Sequence, residues 1–114
     1  MRPESRAARM AYNESVFREA NEQLANVFER EAQGSRRVPF LCECSDRACT
    51  RVVELSLEEY ADVRRHPARF LTLTGHEDSD AEIVVSGGGR YQIIEKQGEA
   101  AAVASRLATG SPAA

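Results

Sequence analysis

Three cysteines, Cys42, Cys44 and Cys49, fall within eight residues of one another in the stretch FLCECSDRACT, and they are all the sulfur nucleophiles the chain has. A C-x-C pair on an extended strand or turn suits metal chelation. It suits a disulfide badly, because so small a ring is strained. Zinc takes four ligands in a tetrahedron, usually thiolate and imidazole, so three thiols leave one position for a histidine, an acid or water. The chain has two histidines. His66 precedes Pro67 at a predicted helix end. His76 follows Gly75 in a polar loop, where a preceding glycine leaves it free to be aimed. The pattern therefore predicts one zinc ion held by Cys42, Cys44, Cys49 and His76, with Arg47 and Arg51 as outer donors offsetting the residual negative charge. Two readings compete with it: three small buried hydrophobes, and a redox switch without metal, which needs accessible thiolates.

The other chemical signals are weaker. Gly87-Gly88-Gly89 lacks the Lys-Ser/Thr and the helix of a phosphate loop, and reads as a hairpin tip. His76-Glu77 would make a catalytic pair only if the zinc kept an open position, which a histidine ligand closes. Arg64, Arg65, His66 and Arg69 form a local basic cluster that suits a solvated helix face, with phosphate contact as the alternative. No Ser-His-Asp set stands out. The expectation is a protein that is not an enzyme.

The elements that must position the four ligands follow from periodicity. From Ser5 to Gln33 apolar residues recur at helical spacing, with Met10, Phe17, Ala20, Leu24, Val27 and Phe28 on one stripe and Arg and Glu on the other face. Gly34 is the expected stop. Residues 38–44 read as an extended arm running into the cysteines. Asp46-Arg47 reads as a turn, and Thr50 to Leu55 as a strand, so the cysteines crown a hairpin. Ser56 and Glu59 have capping-box spacing, with Leu55 and Tyr60 placed as a hydrophobic staple. This predicts a helix from Leu57 to about Arg65, ended by Pro67. Phe70 to Thr74 reads as a strand. Two β-rich arms flank the glycines in EIVVSGGGRYQIIEK and predict a hairpin, although Ser79 and Glu82 also fit a capping box and leave a short helix over 79–85 open. Glu99 to Leu107 is alanine-rich and helical, with no internal repeat anywhere.

Composition bounds the rest. The chain has 114 residues, enough for one domain, divided by the patterning into a frayed 1–5, a single domain over 6–108 and a disordered tail over 109–114. Aromatics make up 6% and tryptophan is absent, so the core is modest and a staple such as a metal is useful. The formal charge of −3 rules out a global basic field for nucleic acid, leaving only a local patch. Lys96 is the only lysine. No apolar run reaches the ~20 residues of a membrane span, and the first 30 residues have no apolar core of a secretory leader. The expected setting is the reducing cytoplasm, where thiols stay free for metal.

These motifs together resemble a group of short, uncharacterised bacterial proteins common in actinobacteria. The resemblance rests on N-E-x-x-F-R-E-x-N-E from Asn13 to Glu22, F-x-C-E-C-x4-C from Phe40 to Cys49, the L-x-x-E-E-Y-x-x-V-R-x-x-P-x-R-F pattern ending at Phe70, and G-H-E from Gly75 to Glu77. It covers most of residues 10–98, departs at the glycine-rich Ser86 to Gly89, and implies no activity.

The expectation is an α+β domain with a long N-terminal helix, a small mostly antiparallel sheet, a capped middle helix and a metal knuckle. Its expected role is a zinc-stabilised interaction module whose N-terminal helix packs across the sheet or docks in part on a protein partner. A thiol-based redox or zinc sensor is the alternative, and a small nucleic-acid-associated protein the weaker one.

Overall fold

Ser5 opens the first helix. Its hydroxyl accepts the Ala8 N–H at 3.1 Å and its carbonyl the Arg9 N–H at 3.0 Å, the arrangement of an N-cap. Ser5 is thus part of the fold rather than frayed. The computed structural model describes residues 5–31, 36–87 and 89–109. The expected fraying of 1–4, the stop at Gly34, the middle of the glycine tip and the tail over 110–114 lie outside the described residues, while Thr109 belongs to the last helix.

Helix α1 (Arg6–Glu31) buries the predicted stripe only in part. Of that stripe Met10 is buried, Phe17, Ala20, Leu24 and Phe28 are half-buried, with Leu24 and Phe28 packed against the apolar cluster around Phe40, and Val27 is 45% exposed. The most deeply buried positions beside Met10 are Ala8, Ala11, Glu14, Arg18 and Asn21, at spacings of three and four. Three of these side chains are polar, so this part of the helix is seated by hydrogen bonds as well as by apolar area. Arg18 is the clearest case. Its guanidinium lies 4.5 Å from the centre of the Phe70 ring and donates to the carbonyls of Pro67 at 2.6 Å and Ala104 at 3.0 Å.

After α1 the chain forms β1 (Arg37–Leu41) and β2 (Val52–Ser56), an antiparallel pair with Phe40 opposite Val53 and Val38 opposite Leu55. These inward residues alternate with outward ones, as a half-buried hairpin requires. Helix α2 (Leu57–Arg64) follows directly, with the predicted capping box closed in both directions and Leu55 and Tyr60 buried in one apolar cluster. A second antiparallel sheet has the order β3 (Arg69–Leu73), β5 (Tyr91–Lys96), β4 (Glu82–Ser86). The strands thus make two small sheets rather than one. Residues 82–86 are strand, which settles 79–85 against a helix. Glu82 does not box with Ser79; its Oε1 accepts the Asp78 N–H at 3.1 Å and its Oε2 the Lys96 ammonium at 2.5 Å. Helix α3 (Gly98–Thr109) packs on α1 and β5.

Two apolar clusters result. Ala8, Met10, Ala11, Phe70, Ile94, Ala100 and Val103 unite α1, α3 and the three-stranded sheet. Val38, Phe40, Val53, Leu55, Tyr60 and Leu71 unite the hairpin, α2 and β3, and include Cys42 and Cys44. Phe40 stacks on Tyr60 at 4.4 Å and meets the edge of Phe28 at 6.0 Å. Scarce aromatics are therefore concentrated beside the cysteines.

Candidate metal centre

The order β3-β5-β4 leaves one edge of β3 open, and an open edge offers unpaired N–H and C=O groups. The arm that leaves β1 runs along β3 and takes up several of them. Glu43 N–H donates to the Leu71 carbonyl at 2.6 Å. In return, Leu71 N–H donates to Glu43 Oε1 at 2.9 Å and Leu73 N–H to Cys42 Sγ at 3.3 Å. Side-chain acceptors thus stand where a neighbouring strand would offer carbonyls. The same contacts place Cys42 and Cys44 beside the end of β3, both buried.

His76 arrives from the other direction. The turn after β3 closes with His76 N–H donating to Leu73 O at 3.0 Å, and Gly75 sits at φ 91°. That left-handed conformation is strained for any residue with a Cβ, so the glycine permits the turn that carries the imidazole to the thiols. Cys49 comes from the turn after the arm. Its N–H donates to Asp46 O at 3.0 Å, while Asp46 Oδ1 accepts the Ala48 N–H at 2.9 Å.

The structure brings all four predicted residues together. His76 Nδ1 is 3.5 Å from Cys42 Sγ and 3.9 Å from Cys49 Sγ. The four ligand atoms lie within 4.8 Å of one another. Ligand atoms about 2.0–2.3 Å from a shared ion at tetrahedral angles stand roughly 3.5–3.8 Å apart. Cys42, Cys44, Cys49 and His76 are therefore close enough to hold a metal ion. No family model, curated protein or solved structure matches this chain. The chemistry of the site rests on its own geometry.

Protons are shared unevenly among the thiols. Hydrogen bonding with Cys42 brings Cys44 down to about 5. The same contact, with burial behind it, pushes Cys42 far above the ordinary thiol range, and burial also raises Cys49. Three sulfurs this close resist ionising together, and a cation at their centre would favour all three thiolates.

Other predicted participants lie elsewhere. His66 is exposed at the turn after α2. Arg47 and Arg51 are exposed, and Arg51 serves the cluster through its backbone, its carbonyl accepting the Cys42 N–H at 3.0 Å. Glu77 is turned to Gln92, whose Nε2 donates to it at 2.6 Å; that bond holds the Glu77 carboxyl below its usual range. In the basic cluster, Arg64 pairs with Glu22, Arg65 with Asp62, and Arg69 with Glu95 at 2.9 Å, so carboxylates already engage these arginines.

Glu43 was not singled out by its sequence position, yet it is fully buried between two candidate ligands. An acid flanked by cysteines on an extended arm is the available signal. Strand alternation turns it away from the thiols and into the protein, where it needs donors that only the tertiary structure supplies.

Proposed function

We propose that this chain is a small, non-catalytic, zinc-stabilised interaction module of the cytoplasm. The observation that carries the reading is the convergence of three thiols and one imidazole within 4.8 Å. Sulfur and imidazole donors in a tetrahedral set favour zinc. Four protein ligands close the coordination shell and leave no position for an activated water, which supports a structural rather than a catalytic ion. A site built on reduced thiols favours a reducing compartment.

The interaction surface in this reading is the outer face of α1. Tyr12 and Val16, four residues apart, are 59% and 52% exposed, and Val27 lies further along the helix. A protein partner fits this apolar strip better than a nucleic acid, since the predicted basic cluster is already engaged by carboxylates. Among the described residues no helix is long and apolar enough to cross a membrane.

A thiol-based sensor is the second reading. Cys49 favours it, because it is only half-buried on its turn while Cys42 and Cys44 are enclosed. Native mass spectrometry of the untagged chain, with and without chelator, tests the first reading. One zinc per chain is expected, lost in Cys42→Ser and His76→Ala. A chain that carries no metal when loaded with zinc overturns it.

A further inference from the structure

No part of Glu43 is exposed, and the residue is held from three directions. Asn21 of α1 donates through Nδ2 to Oε2 at 2.8 Å. Tyr60 of α2 donates its hydroxyl proton to Oε2 at 2.5 Å. Leu71 of β3 donates its N–H to Oε1 at 2.9 Å. Asn21 also grips the adjoining strand, accepting the Leu41 N–H at 2.8 Å and donating to the Leu41 carbonyl at 2.9 Å. Burying a carboxyl is costly even with good partners. The acid is explained by what it aligns.

The alignment is specific. Glu43 sits between Cys42 and Cys44, so fixing it against Leu71 sets the register of both thiols along β3. Two residues further on, Leu73 N–H meets Cys42 Sγ, and the Leu73 carbonyl closes the turn that carries His76. The two ligand-bearing segments are thus gauged against one short stretch of backbone. We propose that Glu43 is a positioning residue of the metal centre, holding the cysteine arm in register with the His76 turn and coupling metal binding to the seating of α1 through Asn21 and of α2 through Tyr60.

This inference rests on the four-ligand reading, and its test separates the two. The full chain is titrated with Zn2+ against a chromophoric chelator, and with Co2+ to record the thiolate-to-metal and d–d bands. Glu43→Gln is expected to weaken zinc binding about 10–100-fold, as loss of outer-shell partners does, and to shift the cobalt bands. Tyr60→Phe, which removes one donor, weakens binding less, and the double variant binds no worse than Glu43→Gln alone. Ile94→Val, a trim in the other apolar cluster, leaves both readouts at wild-type values. Zinc slows amide exchange around Asn21 in the wild type but not in Glu43→Gln. Wild-type affinity in Glu43→Gln, or an equal loss in Ile94→Val, overturns the positioning role. If Glu43→Gln does not fold, Tyr60→Phe decides: unchanged affinity and bands overturn the proposal, and weakened affinity with shifted bands supports it. A wild-type chain that takes up neither ion overturns the four-ligand reading itself.

Discussion

The Lys96 ammonium lies 2.7 Å from Glu14 Oε1, and neither side chain is exposed. Glu82 shares the same ammonium at 2.5 Å, so two carboxyl groups, one from α1 and one from β4, converge on one cation from β5. Burial, and then the Glu82 charge, push the Glu14 carboxyl up from 4.5 to about 9; the attraction of Lys96 opposes this without prevailing.

A pH dependence of stability follows. Between 4.5 and about 9 the folded chain keeps a Glu14 proton that the unfolded chain has lost. The stability tied to this proton is complete below 4.5, declines as pH rises, and is gone above about 9. The slope is about 1.4 kcal/mol per pH unit. Glu14→Gln keeps the shape without a proton to lose, so its stability should decline less steeply. Urea unfolding of both proteins from about pH 6 to about pH 9 reads the difference. Parallel profiles would mean that Glu14 is ionised in the folded chain.

Ser56→Ala should destabilise the protein by about 1 kcal/mol. The hydroxyl accepts the Glu59 N–H at 3.0 Å and the Glu59 carboxylate accepts the Ser56 N–H at 2.9 Å. Because the two bonds are reciprocal, adding Glu59→Ala should cost less than the sum of the single changes. Thermal or urea midpoints check both points, and an unchanged midpoint in Ser56→Ala would remove the cap from the account of α2.

Arg18→Lys should not behave as a conservative change. The fork reaches two carbonyls while its plane lies against Phe70. An ammonium cannot do all three, and lost hydrogen bonds from a buried charged donor cost about 1.5–3 kcal/mol. The urea midpoint should fall with an unchanged slope. A wild-type midpoint would show that one contact suffices.

Metal removal should loosen residues 38–78 before the rest. Cys49 and His76 lie 27 residues apart, so an ion between them closes a loop whose ends otherwise cost entropy to bring together. Structural zinc contributes binding free energy comparable to a domain's whole stability. The α1–α3 contact and the cluster around Phe70 and Ile94 hold no candidate ligand. After chelation, amide exchange should speed up first around β1, the cysteine arm and the His76 turn. Equal protection with and without metal would favour sensing over a structural role.

Local signals were legible in the sequence where both partners lie close along it. The Ser56–Glu59 box, the cysteine spacing and the Gly75–His76 pair are of that kind, and the structure has each in place. The polar part of the buried face of α1 was not legible, because Glu14, Arg18 and Asn21 read as solvent-facing until their partners are known. Those partners are Lys96, the carbonyls of Pro67 and Ala104, and Leu41 with Glu43, all far along the chain. Hydropathy ranked Val27 above them, whereas tertiary pairing favoured the polar residues. The Ser79–Glu82 spacing left a helix open beside the hairpin for the same reason, since Lys96 claims the acid.

The place of Lys96 has a practical consequence. It is the only lysine in the sequence, and in the folded chain its amine is enclosed by Glu14 and Glu82. Native protein thus presents no lysine amine to acylating reagents or to enzymes that modify lysine. Any label appearing on that side chain records an opening between α1 and the three-stranded sheet. The chain carries its own clock for that event, read by mass from a single residue, with no engineered probe.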